Sequence, residues 1–131
     1  MDATQALADL TEISSQVEAA VLFDEAGVRA GSTLPDEAAA RLARAAAELL
    51  SRAGELVEDG AEVTQVEAST PEGSVFVVRD GPRRIAATTG PDPTIGLVFY
   101  DLKSCLRVAA AGEKPRRRRA AKKDEDGGDA A

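Results

Sequence analysis

The chain has 131 residues, 44% of them hydrophobic but only 3% aromatic, with 16 basic and 23 acidic side chains, one cysteine and no histidine. That length suits one compact domain whose interior Val, Leu, Ile and Ala must fill. Without histidine, Ser-His-Asp catalysis, Cys-His catalysis and histidine metal sites are excluded, and a lone cysteine builds neither a thiolate cluster nor an internal disulfide.

In chain order, Leu7, Leu10, Ile13 and Val17 fall on one side of a helix over residues 2–17, with Asp2 or Thr4 as its cap. The apolar run Ala19-Ala20-Val21-Leu22-Phe23 follows. The turn Asp24-Glu25-Ala26-Gly27 then returns residues 28–32 as a partner strand, which makes a hairpin. Thr33-Leu34-Pro35-Asp36 announces a long helix over residues 35–57, with a hydroxyl near the cap, a proline in the first turn and acids where the dipole favours them.

Glu58-Asp59-Gly60 breaks that helix, and three strand signals come next. Residues 62–70 roughly alternate, with Thr64, Val66 and Ala68 on one face and Gln65, Glu67 and Ser69 on the other. Residues 74–78 are apolar without alternation, which predicts burial on both faces. Residues 83–89 form the last strand, ended by Gly90-Pro91-Asp92-Pro93. Ile95, Val98, Phe99, Leu102, Cys105, Leu106 and Ala109 trace a final helical face, with Cys105 a small buried hydrophobe and the Tyr100 hydroxyl turned outward. The order α-β-β-α-β-β-β-α, with short connections, predicts an α/β (α+β) fold: a five-stranded antiparallel sheet with two helices on one face and one long helix on the other. Residues 1–112 should form this domain.

Residues 113–131 hold seven basic and five acidic groups, whereas the remainder holds nine basic and 18 acidic ones. An acidic body repels polyphosphate. The tail has no apolar residue larger than alanine and is expected to be disordered. Its Arg116, Arg117, Arg118 and Arg119 are the one place suited to weak contact with nucleic acid or an anionic membrane. No apolar run approaches the ~18 residues of a membrane span. The amino terminus lacks a signal-peptide pattern, so a cytoplasmic protein is expected. No phosphate loop occurs, the paired acids sit at turns and helix ends, and Arg83-Arg84 reads as the wet end of a strand. Neither metal nor cofactor is expected.

The long central helix is the most informative segment. Arg41, Arg44, Glu48, Ser51, Arg52 and Glu55 crowd into an arc of roughly 100°. Leu42, Leu49 and Leu56 make a stripe at heptad spacing, and Ala39, Ala43, Ala46, Ala47, Leu50 and Gly54 make a second apolar flank. One sheet needs one apolar face. The expectation is that the leucines face the sheet and the alanine flank meets a twin helix in a twofold homodimer. The polar strand at Val63, Gln65 and Glu67 is then an edge that pairs with its copy. The charged ridge Arg41, Arg44, Glu48, Arg52 and Glu55 is a solvated face supported by i,i+4 pairs, or in a dimer half of a surface that receives a protein.

The element order, with Val17-Glu18-Ala19-Ala20-Val21-Leu22-Phe23-Asp24-Glu25-Ala26-Gly27, Gly73-Ser74-Val75-Phe76-Val77-Val78, Ile85-Ala86-Ala87-Thr88-Thr89 and Pro93-Thr94-Ile95-Gly96-Leu97, resembles the Roadblock family, including its bacterial MglB-type members, over about residues 5–110. The resemblance implies a homodimer that joins central helices and third strands. It also implies a non-enzymatic regulator of a small Ras-like GTPase, whose switch regions would sit on Arg41, Arg44, Glu48, Arg52 and Glu55. Such a regulator stimulates the GTPase's own catalytic groups without an arginine finger. Other members are adaptors with no effect on hydrolysis, which is the alternative here.

Overall fold

The structure, a computed structural model, describes residues 2–57 and 62–122, the last ten of these by their backbone alone. The elements are α1 (Ala3–Ile13), β1 (Val17–Asp24), β2 (Arg29–Ser32), α2 (Asp36–Gly54), β3 (Gln65–Thr70), β4 (Gly73–Asp80), β5 (Arg83–Thr89) and α3 (Ile95–Lys122). All pairings are antiparallel and the sheet order is β2-β1-β5-β4-β3, so the expected fold class and element order hold. Glu58-Asp59-Gly60 lies outside the described residues, as do the side chains of residues 113–122 and all of 123–131, the stretch expected to be a charged tail.

Asp2 caps α1 by accepting a hydrogen bond from the Gln5 N–H at 2.9 Å. The helix stops at Ile13, short of the expected residue 17, because Ser14 turns extended while its N–H closes on the Leu10 carbonyl. Val17 therefore starts β1 and does not end α1, and Ile13 faces solvent. Thr33 does not cap α2 either. Its hydroxyl accepts from the Ala20 N–H at 2.9 Å and pins the end of the first hairpin to β1, while α2 begins after Pro35 with no side-chain cap.

The sheet divides the interior in two. One cluster packs Leu7 and Leu10 of α1 and Val98, Leu102 and Leu106 of α3 onto Ala20, Leu22, Phe76 and Ile85. Phe76 and Phe99 meet edge to face at 5.0 Å. The other packs α2 onto Val21, Phe23, Val77 and Ala86. β4 feeds both clusters, as its unbroken apolar run requires. Gly73, which opens β4, has φ +157, and a Cβ there would lie 2.2 Å from the Thr89 carbonyl oxygen, so only glycine fits beside β5.

Candidate functional site

The packing of α2 decides which of its residues a partner can reach. Ala39, Ala43, Ala46 and Leu50 face the sheet and retain at most 5% exposure. Leu42 and Leu49 are half-buried along one flank, and Leu56, past the helix end, is 87% exposed. The expected assignment of faces is therefore reversed. The bulk on this side of the core comes from the sheet, from Phe23, Val21 and Val77, so the helix lies down on its small residues and the leucines are pushed to the flank. As a result Ala39, Ala43, Ala46 and Leu50 cannot be dimer contacts, because the subunit already buries them. Ala47 remains exposed. The surplus of apolar surface on α2 persists, carried by leucines in place of alanines.

Arg41, Arg44, Glu48, Ser51 and Arg52 are all exposed on the outer side of α2, with Glu55 just beyond its end. Of the expected i,i+4 pairs, Glu48–Arg52 is present at 3.1 Å, while no Arg44–Glu48 bridge occurs among the described residues. With both side chains about two-thirds exposed, that pair contributes about 0.5 kcal/mol or less. The ridge is thus not a stability device. Its residues stay free to meet another molecule.

Sequence reasoning missed what lies beside the ridge. Along the sheet, Ala19 pairs with Thr88, Thr88 with Val75 and Val75 with Ala68, a row on the α2 side that the helix covers only in part. Ala19 and Thr88 of this row, with Leu34, Ala38, Leu42 and Ala45, line an open groove of about 870 Å³ that Arg41, Arg44 and Glu48 overhang. The alternation of β1 and β5 places Ala19 and Thr88 on this face, but only the pairing register sets them beside Leu42.

β3 is an edge strand, hydrogen-bonded to β4 alone, as expected. Gln65 is exposed, and Glu67 is half-buried and accepts from the Ser69 hydroxyl. Val63 packs beneath α2, its carbonyl held by the Arg79 guanidinium at 2.7 Å. Arg84, expected at a wet strand end, is half-buried. Burial first and Arg79 second lower its pKa, and it donates to the Gly81 carbonyl at 3.1 Å. No group of His, Cys, Asp and Glu that would hold a metal occurs among the described residues. No helix among them is long and apolar enough to cross a membrane.

A family model described as the Roadblock/LC7 domain matches residues 4–88. Among solved structures, the fold is similar to a Roadblock/LC7 domain from Streptomyces avermitilis, with a TM-score of 0.76 and 20% identity over 86% of this chain and 98% of that one. Myxococcus xanthus MglB is similar at a TM-score of 0.63 and 14% identity, over 85% of this chain and 84% of its own. The gliding protein MglB from Thermus thermophilus gives 0.63 and 15%, over 83% and 86%. A sequence search of curated proteins found no match.

Proposed function

The chain belongs to the Roadblock/LC7 domain family, and from that premise we propose that it is a homodimeric regulator of a small Ras-like GTPase. The observation that carries this reading is the outer surface of α2, where Arg41 and Arg44, in no ion pair among the described residues, overhang an open apolar-floored groove. Mixed charge around an apolar floor suits a protein partner, and it orients and speeds the encounter. In this reading the chain is a regulator and not itself an enzyme. It acts by holding the switch regions of the GTPase in the arrangement for hydrolysis, or by binding one nucleotide state more tightly than the other.

In the proposed dimer, edge strand β3 pairs with its copy, and Leu49 and Leu56 of the α2 flank meet the twin subunit. Residues 1–112 make up the proposed domain, and residues 113–131, the first ten of which continue the backbone of α3, are proposed as a charged segment appended to it. The cytoplasm, where Ras-like GTPases work, is the proposed location.

The test uses Ras-like GTPases from the same genome, loaded with GDP or with a non-hydrolysable GTP analogue. The expected result is nucleotide-dependent binding that Arg41→Glu/Arg44→Glu weakens at least about tenfold. Binding to none of them by an intact dimer overturns the proposal. Single-turnover hydrolysis then separates the two modes. Faster turnover marks a GTPase activator, and tight binding with unchanged turnover marks an adaptor.

A further inference from the structure

On the side of the sheet away from α2, we infer that the cleft between α1 and α3 is a second docking site, for a basic amphipathic helix of another protein. The cleft encloses about 300 Å³. Leu10 and Ile13 of α1 wall one side, and Tyr100 and Val108 of α3 wall the other. Ile13 is 73% exposed and Tyr100 66% exposed, so these walls are apolar surface that the subunit leaves in water. Leu97, Tyr100, Ser104 and Val108 recur at three- and four-residue steps, a second stripe on α3 beside its buried one, running about 17 Å. That matches three turns of a helix laid in the groove.

The charge identifies the occupant. Asp101 lines the cleft with 9% exposure, and among the described residues it accepts no hydrogen bond and joins no ion pair. Its carboxylate oxygens still touch water, and a lysine or arginine entering the cleft supplies a charge-assisted partner for them. Asp9 adds a second carboxylate, which among the described residues accepts a hydrogen bond from Gln5 alone, at 3.1 Å. Among the described residues the cleft's lining contains no cation. Arg107 approaches from outside, reaching the Ser104 hydroxyl at 3.4 Å. A second copy would set Asp9 and Asp101 against their own duplicates. An anionic membrane would meet the same carboxylates. The cleft therefore fits a foreign helix with aliphatic residues on one face and lysine or arginine along its border.

The probe is a fluorescein-labelled, amidated helical peptide with leucines at i, i+3, i+4, i+7 and i+11 and lysines elsewhere, followed by anisotropy on the full chain. Its twin carries glutamate for lysine. The lysine peptide should bind saturably and the glutamate twin should not. Asp101→Asn should weaken binding at least about tenfold, while Glu72→Gln, which removes an exposed charge elsewhere, should change it less than about twofold. Ser104→Trp fills the cleft without altering charge and should abolish binding. Tyr100→Ser, at an exposed wall, should weaken it and serves where the tryptophan variant does not fold. Undiminished binding to either of these variants, or equal binding of the glutamate twin, overturns the inference. So does a concentration-dependent doubling of mass, or capture by phosphatidylglycerol vesicles, that Ser104→Trp removes, since a second copy or a membrane would then be the occupant. Because α2 is untouched throughout, failure here leaves the GTPase reading standing, and the reverse is equally true.

Discussion

Ala46 has no exposed surface and lies against a sheet face built from Val21, Val77 and Ala86. A carboxylate there would be buried with no cation to meet it, at a cost of about 3 kcal/mol or more. Ala46→Glu should therefore unfold the subunit, which denaturant titration with circular dichroism will show as a lost or strongly lowered midpoint. Cys105 is a buried hydrophobe, as its place on the α3 stripe predicts, with its sulfur 3.5 Å from the Ala6 carbonyl. Burial, reinforced by the Asp9 carboxylate, pushes its thiol up from 9.0 to about 11. Between those values the unfolded chain has released a proton that the folded chain still holds. The contribution to stability is therefore complete below pH 9 and falls as the pH climbs toward 11. Denaturation midpoints at about pH 8 and about pH 10.5 should differ less in Cys105→Ala than in the parent chain. The native thiol should also resist a thiol reagent until the chain is unfolded.

For the elements, the leucine flank of α2 and the lone edge of β3 give the dimer reading its test. Leu56→Glu alters a side chain that is 87% exposed, so folding should survive while the dimer dissociates. Light scattering should then fall from twice to once the 13.6 kDa chain mass, and an unchanged mass would remove Leu56 from the interface. The sequence makes β4 and β5 legible. An unbroken apolar run can only be covered on both sides, and the Gly-Pro punctuation after Thr89 leaves β5 no room to extend. The rotation of α2 was hidden for a definite reason. A helical wheel records that two flanks are apolar, but their order depends on the bulk supplied by the sheet, and Phe23 already fills the space that leucines would need. The end of α1 was hidden as well. Val17 continues the helical period, yet Ser14 turns the backbone extended, and only pairing with Thr89 assigns the valine to the sheet. The ridge itself could be read from residues 41–55, whereas the groove beneath it joins residues some seventy positions apart.

Across the whole molecule, the sheet separates two surfaces with different chemistry: a basic and acidic ridge over a groove on the α2 side, and an acidic apolar cleft between α1 and α3 on the other. On the two proposals above, one chain built this way would hold a GTPase and a second protein at once. On the proposed domain division, removing residues 113–131 should leave the domain's melting temperature, its mass in solution and its α2 binding unchanged within error. Loss of any of the three on calorimetry, light scattering or the GTPase assay would place the segment inside the working unit.

β5 lies between β1 and β4 although it is the last strand to be made. During synthesis the chain thus first produces two separate ribbons, β1 with β2 and β3 with β4, each of a size that is barely stable alone in water. They become one sheet only when residues 83–89 slot between them, a long-range closure that slows folding. A nascent fragment halted before Arg83 would own both ribbons and both of its first helices yet lack the seam, and would be left to chaperones or proteases.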